Sequence, residues 1–272
     1  MIRPVRLIAG AVLGTAMGAA LAHERRMRRH AERFSAAALE SLLRAIDAND
    51  AQTGAHVRRV ATYALTLADA CGVDPRMRRT IELGALFHDI GKIDEALFDL
   101  VHEPRSLTAA ERRSIATHPA RGADVLAPVA NFYPHLTDAV LAHHERWDGS
   151  GYPRGLRKHS IPFAARVVAL ADTFDVITFG RRYRDGRAGT VACGIIASAR
   201  GTQFDPDLTD LMLFPPVLAS IMRSHRAFVR SGSRIPQRHM SVVEERSPNV
   251  RIRWRTRSSA PANIRVKLRE SR

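Results

Sequence analysis

Apolar residues return every third or fourth position through most of the chain, from about residue 32 to residue 226. That is the period of an amphipathic helix, not of a strand. Residues 34–43 (FSAAALESLL) follow it, and in the next stretch Val57, Val60, Ala61, Ala64, Leu65 and Ala68 share one face. Residues 80–87 and 161–177 are further apolar helical runs, and Pro75, Pro104, Pro119, Pro134, Pro153 and Pro162 punctuate the series. No stretch there alternates as several strands would, and no G-x-G-x-x-G follows a strand. The pattern predicts one all-α domain over residues 31–228.

The two ends depart from this pattern. Near the N-terminus, residues 7–22 form an uncharged run rich in Ala and Gly, preceded by Arg3 and Arg6 and followed by Arg25, Arg26, Arg28 and Arg29. A spanning helix takes about 20 apolar residues, so the run is short. It reads as an uncleaved anchor, a cleavable signal ending at Ala20-Leu21-Ala22, or a buried helix. The arginine bias would leave the C-terminal bulk of an anchored chain in the cytoplasm. At the other end, residues 249–257 (NVRIRWRTR) and 263–269 (NIRVKLR) alternate apolar and basic positions. They predict an irregular basic tail over residues 229–272, or two short strands about residues 258–262. A patch for anionic lipid or nucleic acid is the sharper reading of that tail.

The formal charge of +15 suggests a polyanion partner until it is located. Residues 1–30 carry six arginines and one glutamate, and residues 229–272 carry 12 basic and three acidic residues. The stretch between them is nearly neutral, with 24 basic and 23 acidic residues. The excess therefore belongs to the ends, and no specific nucleic-acid partner is expected. Of the basic residues only Lys92, Lys158 and Lys267 are lysines. Two cysteines exclude a disulfide-dense scaffold and a Cys-only metal cluster.

The middle holds the chemistry. His88-Asp89 ends an apolar run, His143-His144 follows another, and Asp172 and Asp175 lie inside a third; His56 and His118 join them. Ionisable groups on apolar helices are costly unless paired or metal-bound, so these places are expected to meet in the core. His102, His135 and His159 read as ordinary core or surface residues. Imidazole with carboxylate and no thiolate suits Fe, Mn or Zn. The candidates are too many for one tetrahedral zinc and suit two metals sharing a bridging carboxylate. Such a pair clamps a phosphodiester and generates hydroxide near neutral pH. Lys92, one helical turn after His88, would face the same side and neutralise phosphate charge.

Two motifs carry a resemblance. HDIGK, residues 88–92, is similar to the signature of the HD phosphohydrolase superfamily, and HHERWDGSGYP, residues 143–153, resembles the longer signature of the HD-GYP family of cyclic di-GMP phosphodiesterases. LTAAERRSIATHPARGADVL, ARVVALADTFDVIT, RRYR and GTQFDP resemble further segments of that family in the same order, and the match runs from about residue 50 to residue 213. The resemblance implies an HD-domain helical bundle with extra C-terminal helices, here flanked by the short N-terminal hydrophobic helix and the basic tail.

It also implies roles. His56, His88, Asp89, His118, His143, His144 and Asp172 match the ligands of two divalent metal ions, Fe or Mn, with Asp89 as the bridge. Lys92 matches the lysine on the substrate phosphate, and Arg181 and Arg184 match basic residues facing the nucleotide. Asp148, Gly149, Gly151, Tyr152 and Pro153 match the loop that shapes the site and has been linked to partner contacts with other cyclic di-GMP signalling proteins. Gln52 stands where some members place the Glu of a third metal, which implies a two-metal site. Residues 93–106, Arg182, Val176 and the stretch after Arg184 depart from the family wording.

The implied function is a phosphodiesterase that opens cyclic di-GMP to pGpG and onward to GMP through a hydroxide activated by two metals, with Asp89 and Lys92 as the catalytic residues. The alternatives are an inactive domain that binds cyclic di-GMP or a protein partner, and a general HD nucleotide phosphohydrolase that uses the basic tail. The catalytic domain is expected in the cytoplasm, with residues 7–22 as its contact with the inner membrane.

Overall fold

The computed structural model describes residues 3–93, 106–181 and 184–231, with the side chains of residues 1–16, 19 and 181–185 outside that description. The chain divides into two units, residues 1–45 and residues 46–272. The hydrophobic run at residues 7–22 is the first part of a 47-residue helix, α1 (Arg3–Asn49). Nothing in residues 23–49 breaks the helical period, since proline and glycine are both missing there. Among the described residues no helix is long and apolar enough to cross a membrane. The anchor expected at residues 7–22 falls on residues most of whose side chains lie outside the description.

The second unit is a bundle of short helices. α2 (Ala51–Cys71) starts at Asp50, whose carboxylate accepts from the amide of Gln52 and the hydroxyl of Thr53. It stops at Gly72, which takes the left-handed conformation at φ 64°. α3 (Pro75–Phe87) is capped by Asp74 with proline at its first turn. After a 3-10 turn (Ile90–Ile93) come α4 (Ala109–Ile115), started by a Thr108/Glu111 capping box, and α5 (His118–Leu126). α6 (Leu136–Leu141), α7 (Phe163–Phe179), α8 (Gly189–Ser198), α9 (Pro206–Leu213) and α10 (Pro215–Arg230) complete the unit. The extended structure described is a two-residue antiparallel pair, β1 (Gly180–Arg181) with β2 (Arg184–Asp185). The strands expected about residues 258–262 lie outside the described residues.

α2, α3 and α7 pack on one another, with α6 against α3 and α10 against α2. Tyr63, Phe87 and Phe174 are the largest side chains sealed in this core, and Tyr63 meets Phe174 edge to face at 5.2 Å. Each fully buried Leu, Ile or Phe there contributes about 1.5–3 kcal/mol. α7 has no polar face, because it is covered on several sides: Val167, Val168, Leu170, Ala171 and Phe174 are all buried. This is why its two carboxylates, Asp172 and Asp175, need partners inside the protein.

Candidate metal centre

Every candidate ligand sits where a helix begins, ends or faces the core. His56 lies on α2, His88 and Asp89 follow α3, and His118 opens α5. His143 and His144 follow α6, and Asp172 lies on α7. The structure gathers these seven into two groups: Asp89, His118, His143 and His144 in one, and His56, His88 and Asp172 in the other, with the donor atoms in each group within 4.8 Å of one another.

Asp89 joins the groups. Its Oδ1 lies 3.3 Å from His118 Nε2 and 3.8 Å from His143 Nε2, while its Oδ2 lies 3.5 Å from His88 Nε2. His88 Nε2 is in turn 3.8 Å from Asp172 Oδ1, which is 3.3 Å from His56 Nε2.

Local backbone fixes the tautomers. His88 Nδ1 donates to the carbonyl of Ala85 at 2.9 Å, His118 Nδ1 to Ile115 at 2.7 Å, and His143 Nδ1 to Val140 at 2.6 Å. A carbonyl only accepts, so each of these nitrogens carries the proton and each Nε2 turns a lone pair inward. The consequence is a set of donors without protons. His118 Nε2 and His143 Nε2 face each other at 3.2 Å, and His88 Nε2, Asp89 Oδ1 and Asp172 Oδ1 are buried with no hydrogen-bond partner. Buried polar atoms left this way are costly. A divalent cation that accepts nitrogen and oxygen ligands satisfies all of them at once, so the residues fit such ions.

The electrostatics agree. Burial holds His144 neutral, pushed down to about 3. Burial also pushes His88 and His143 down, His143 well below its ordinary range with His144 adding to the effect. Burial opposes ionisation of Asp89, yet the ammonium of Lys92 beside it outweighs that and holds its carboxyl well below the usual range. Asp172 is likewise held down, burial being outweighed by His56 and His88. His56 is the exception: burial works against its charge, but Asp172 and Asp175 push it up to about 9. The field that would hold a proton between His56 and Asp172 is the field that favours a metal cation there.

The residues expected around substrate are placed unevenly. Lys92 lies on the 3-10 turn after α3, where the helix has already ended, and its Nζ reaches Asp89 Oδ2 at 2.7 Å. Tyr152 stacks on His144, ring centres 4.8 Å apart. Both line a cavity of about 280 Å³ with His143, Asp172, Thr173 and Gln203. Asp148 is used within its own loop, accepting from Ser150 and Arg146. The side chains of Arg181 and Arg184 lie outside the described residues, although their backbones pair across the β1–β2 turn. His135 and His159 stand apart from both groups, His135 beside Asp138 and His159 against the ring of Trp147; His102 is outside the described residues.

Three residues that sequence reasoning did not assign support the centre. Asp175, which stood out as an acid in an apolar run, accepts from His56 Nδ1 and from Arg59. Arg59 carried no signal beyond lying three residues after His56. Glu145, inside the HHERWDGSGYP motif, is buried and accepts the backbone amides of Arg154 and Leu156. It holds the loop against itself. The loop also docks on the GTQFDP turn, with Trp147 and Asp148 donating their amides to the carbonyls of Gln203 and Thr202.

Comparison with known proteins gives a consistent set of relatives. A family model described as HD domain matches residues 40–208. The cyclic di-GMP phosphodiesterase response regulator RpfG of Xanthomonas campestris is 37% identical over 177 residues, covering 64% of this chain and 46% of that protein. The 3'3'-cGAMP-specific phosphodiesterase 2 of Vibrio cholerae is 34% identical over 175 residues, covering 64% of this chain and 33% of that protein. The chain thus spans between a third and a half of the length of these two relatives. Among solved structures, a cyclic GMP-AMP specific phosphodiesterase of V. cholerae (V-cGAP3) shares the fold with a TM-score of 0.50 at 20% identity, over 70% of this chain and 52% of that one.

Proposed function

The chain belongs to the HD domain family, in its HD-GYP form, and from that premise we propose that it is a metal-dependent phosphodiesterase that opens cyclic di-GMP to linear pGpG. The observation that carries the reading is Asp89, which offers one carboxylate oxygen to each of two groups of inward-facing donors. His56, His88 and Asp172 would hold one divalent ion and His118, His143 and His144 the other, with Asp89 between them. Fe or Mn suits this all-imidazole and carboxylate set. The metals, when bound, supply Lewis-acid activation of water and of the phosphoryl oxygen.

The chain's own residues do the rest. Lys92, whose Nζ stands beside Asp89, offers a point positive charge to a phosphate oxygen as negative charge develops. Tyr152, held flat on His144, gives the cavity an aromatic wall beside the reacting phosphate. Arg181 and Arg184 are assigned to the outer phosphates. The domain doing this is residues 31–228, and the reaction belongs to the cytoplasm. Relatives that act on cyclic di-GMP and on 3'3'-cGAMP both support a cyclic dinucleotide as substrate.

The test is direct. Protein purified under reducing conditions with Mn or Fe is incubated with cyclic di-GMP, and separately with 3'3'-cGAMP, and the products are separated by chromatography. Conversion of cyclic di-GMP to pGpG, lost in Asp89→Ala, is the expected result. Full turnover and metal content in Asp89→Ala would overturn the assignment.

A further inference from the structure

Four of the histidines in the two groups have a visible partner on the ring nitrogen that faces away from the centre, and one of those partners differs from the rest. His88, His118 and His143 each use a backbone carbonyl three residues earlier. They can do so because they lie at helix ends, where such carbonyls are not fully committed. His56 lies inside α2, where the carbonyls of the preceding turn accept helical amides. Its Nδ1 instead donates to Asp175 Oδ2 at 2.7 Å, 119 residues away in sequence.

Asp175 is held in turn. Arg59, one turn beyond His56 on the same helix, donates Nε to Oδ1 at 2.7 Å and Nη2 to Oδ2 at 2.8 Å. Both side chains are buried, and the guanidinium lies 4.0 Å over the ring of Phe179. Asp172 and Asp175 are three apart on α7, so they share a face. One turn of α7 therefore meets both nitrogens of the His56 ring, Asp172 at Nε2 and Asp175 at Nδ1.

We infer that Asp175, locked by Arg59, is a positioning residue that sets the tautomer, orientation and donor strength of His56, and so governs the ion of the His56–His88–Asp172 group and not its neighbour. A carboxylate partner makes an imidazole a stronger donor than a carbonyl partner does, and losing such a partner costs about 10- to 100-fold in metal affinity. The two sites are thereby made unequal by the chain itself. The inference rests on the two-metal reading above.

The experiment is a titration of the chelator-stripped full chain with Mn²⁺, free ion being read by its electron paramagnetic resonance signal. Wild type, Asp175→Asn, His56→Ala and the double variant are compared. Wild type is expected to take up two ions. Asp175→Asn should bind one of them about 10- to 100-fold more weakly and leave the other unchanged. His56→Ala should weaken the same site, and the double variant should be no worse than His56→Ala alone, because Asp175 acts through His56. Equal weakening of both sites, or losses that add in the double variant, would show a merely structural role and overturn the inference. Two unaltered affinities in Asp175→Asn overturn it as well. If Asp175→Asn does not fold, Arg59→Lys, which keeps the charge and loses the fork, must show the same one-site loss. Wild type that binds no pair overturns the metal reading and this inference with it, an outcome distinct from the others.

Discussion

Gly91 lies so close to His118 that a Cβ on it would stand 2.1 Å from the His118 carbonyl oxygen, and 2.7 Å from the amide of Gly122. The glycine in HDIGK is there because backbone meets backbone. It lets the 3-10 turn after α3 press on the start of α5, which brings Asp89 to His118.

Gly91→Ala should therefore push the turn off α5. Overpacking of this kind costs about 1–3 kcal/mol, and it separates ligands of one group. A lowered unfolding midpoint together with reduced metal content is expected. A variant of normal stability with a full metal complement would show that the contact is slack.

Stripping the metals should destabilise the protein. Three buried donor atoms are left without partners and two imidazole lone pairs face each other at 3.2 Å. A ligand present at 100 times its Kd stabilises the folded state by about 2.7 kcal/mol. Thermal unfolding with and without chelator measures the shift, which should be absent in Asp89→Ala.

Lys92→Met should separate binding of metal from chemistry. Lys92 contacts Asp89 through one oxygen and belongs to neither ligand group. Turnover of cyclic di-GMP is expected to fall by about 10²-fold, the scale for removing one charge-stabilising donor. Metal stoichiometry should stay at the wild-type value, checked by elemental analysis on the assayed sample.

Glu145→Ala should loosen the Tyr152 loop. It removes the acceptor of the amides of Arg154 and Leu156, now held at 2.7 and 2.9 Å, and a hydrogen bond to a charged group contributes about 1.5–3 kcal/mol. The expected result is a raised KM with the metals retained. Glu145→Gln, which keeps an acceptor, should recover part of the loss.

Much of the centre was legible in the chain because its ligands are tied to local punctuation. HDIGK ends one helix, THP opens another and HHERWDGSGYP follows a third, so each motif carries its own geometry. The reason expected for Lys92 was not what the structure gives: α3 stops at Phe87, and the lysine reaches Asp89 from a tighter turn. Arg59 and Glu145 stayed hidden, since an arginine on a helix and a glutamate in a loop are ordinary until their partners are known. The nature of α1 was also obscured, because an apolar run and a polar run of the same helical period read as two segments and fold as one helix.

Apolar period and residue chemistry along the chain were enough to specify the all-α class and the candidate ligands, because both act over a few residues. How seven residues spread from 56 to 172 divide into two groups, which oxygen of Asp89 faces which group, and that Asp175 stands behind His56 emerge only once the helices are packed. Those relationships depend on how α2, α3, α5 and α7 pack, and packing brings together side chains that no local pattern connects.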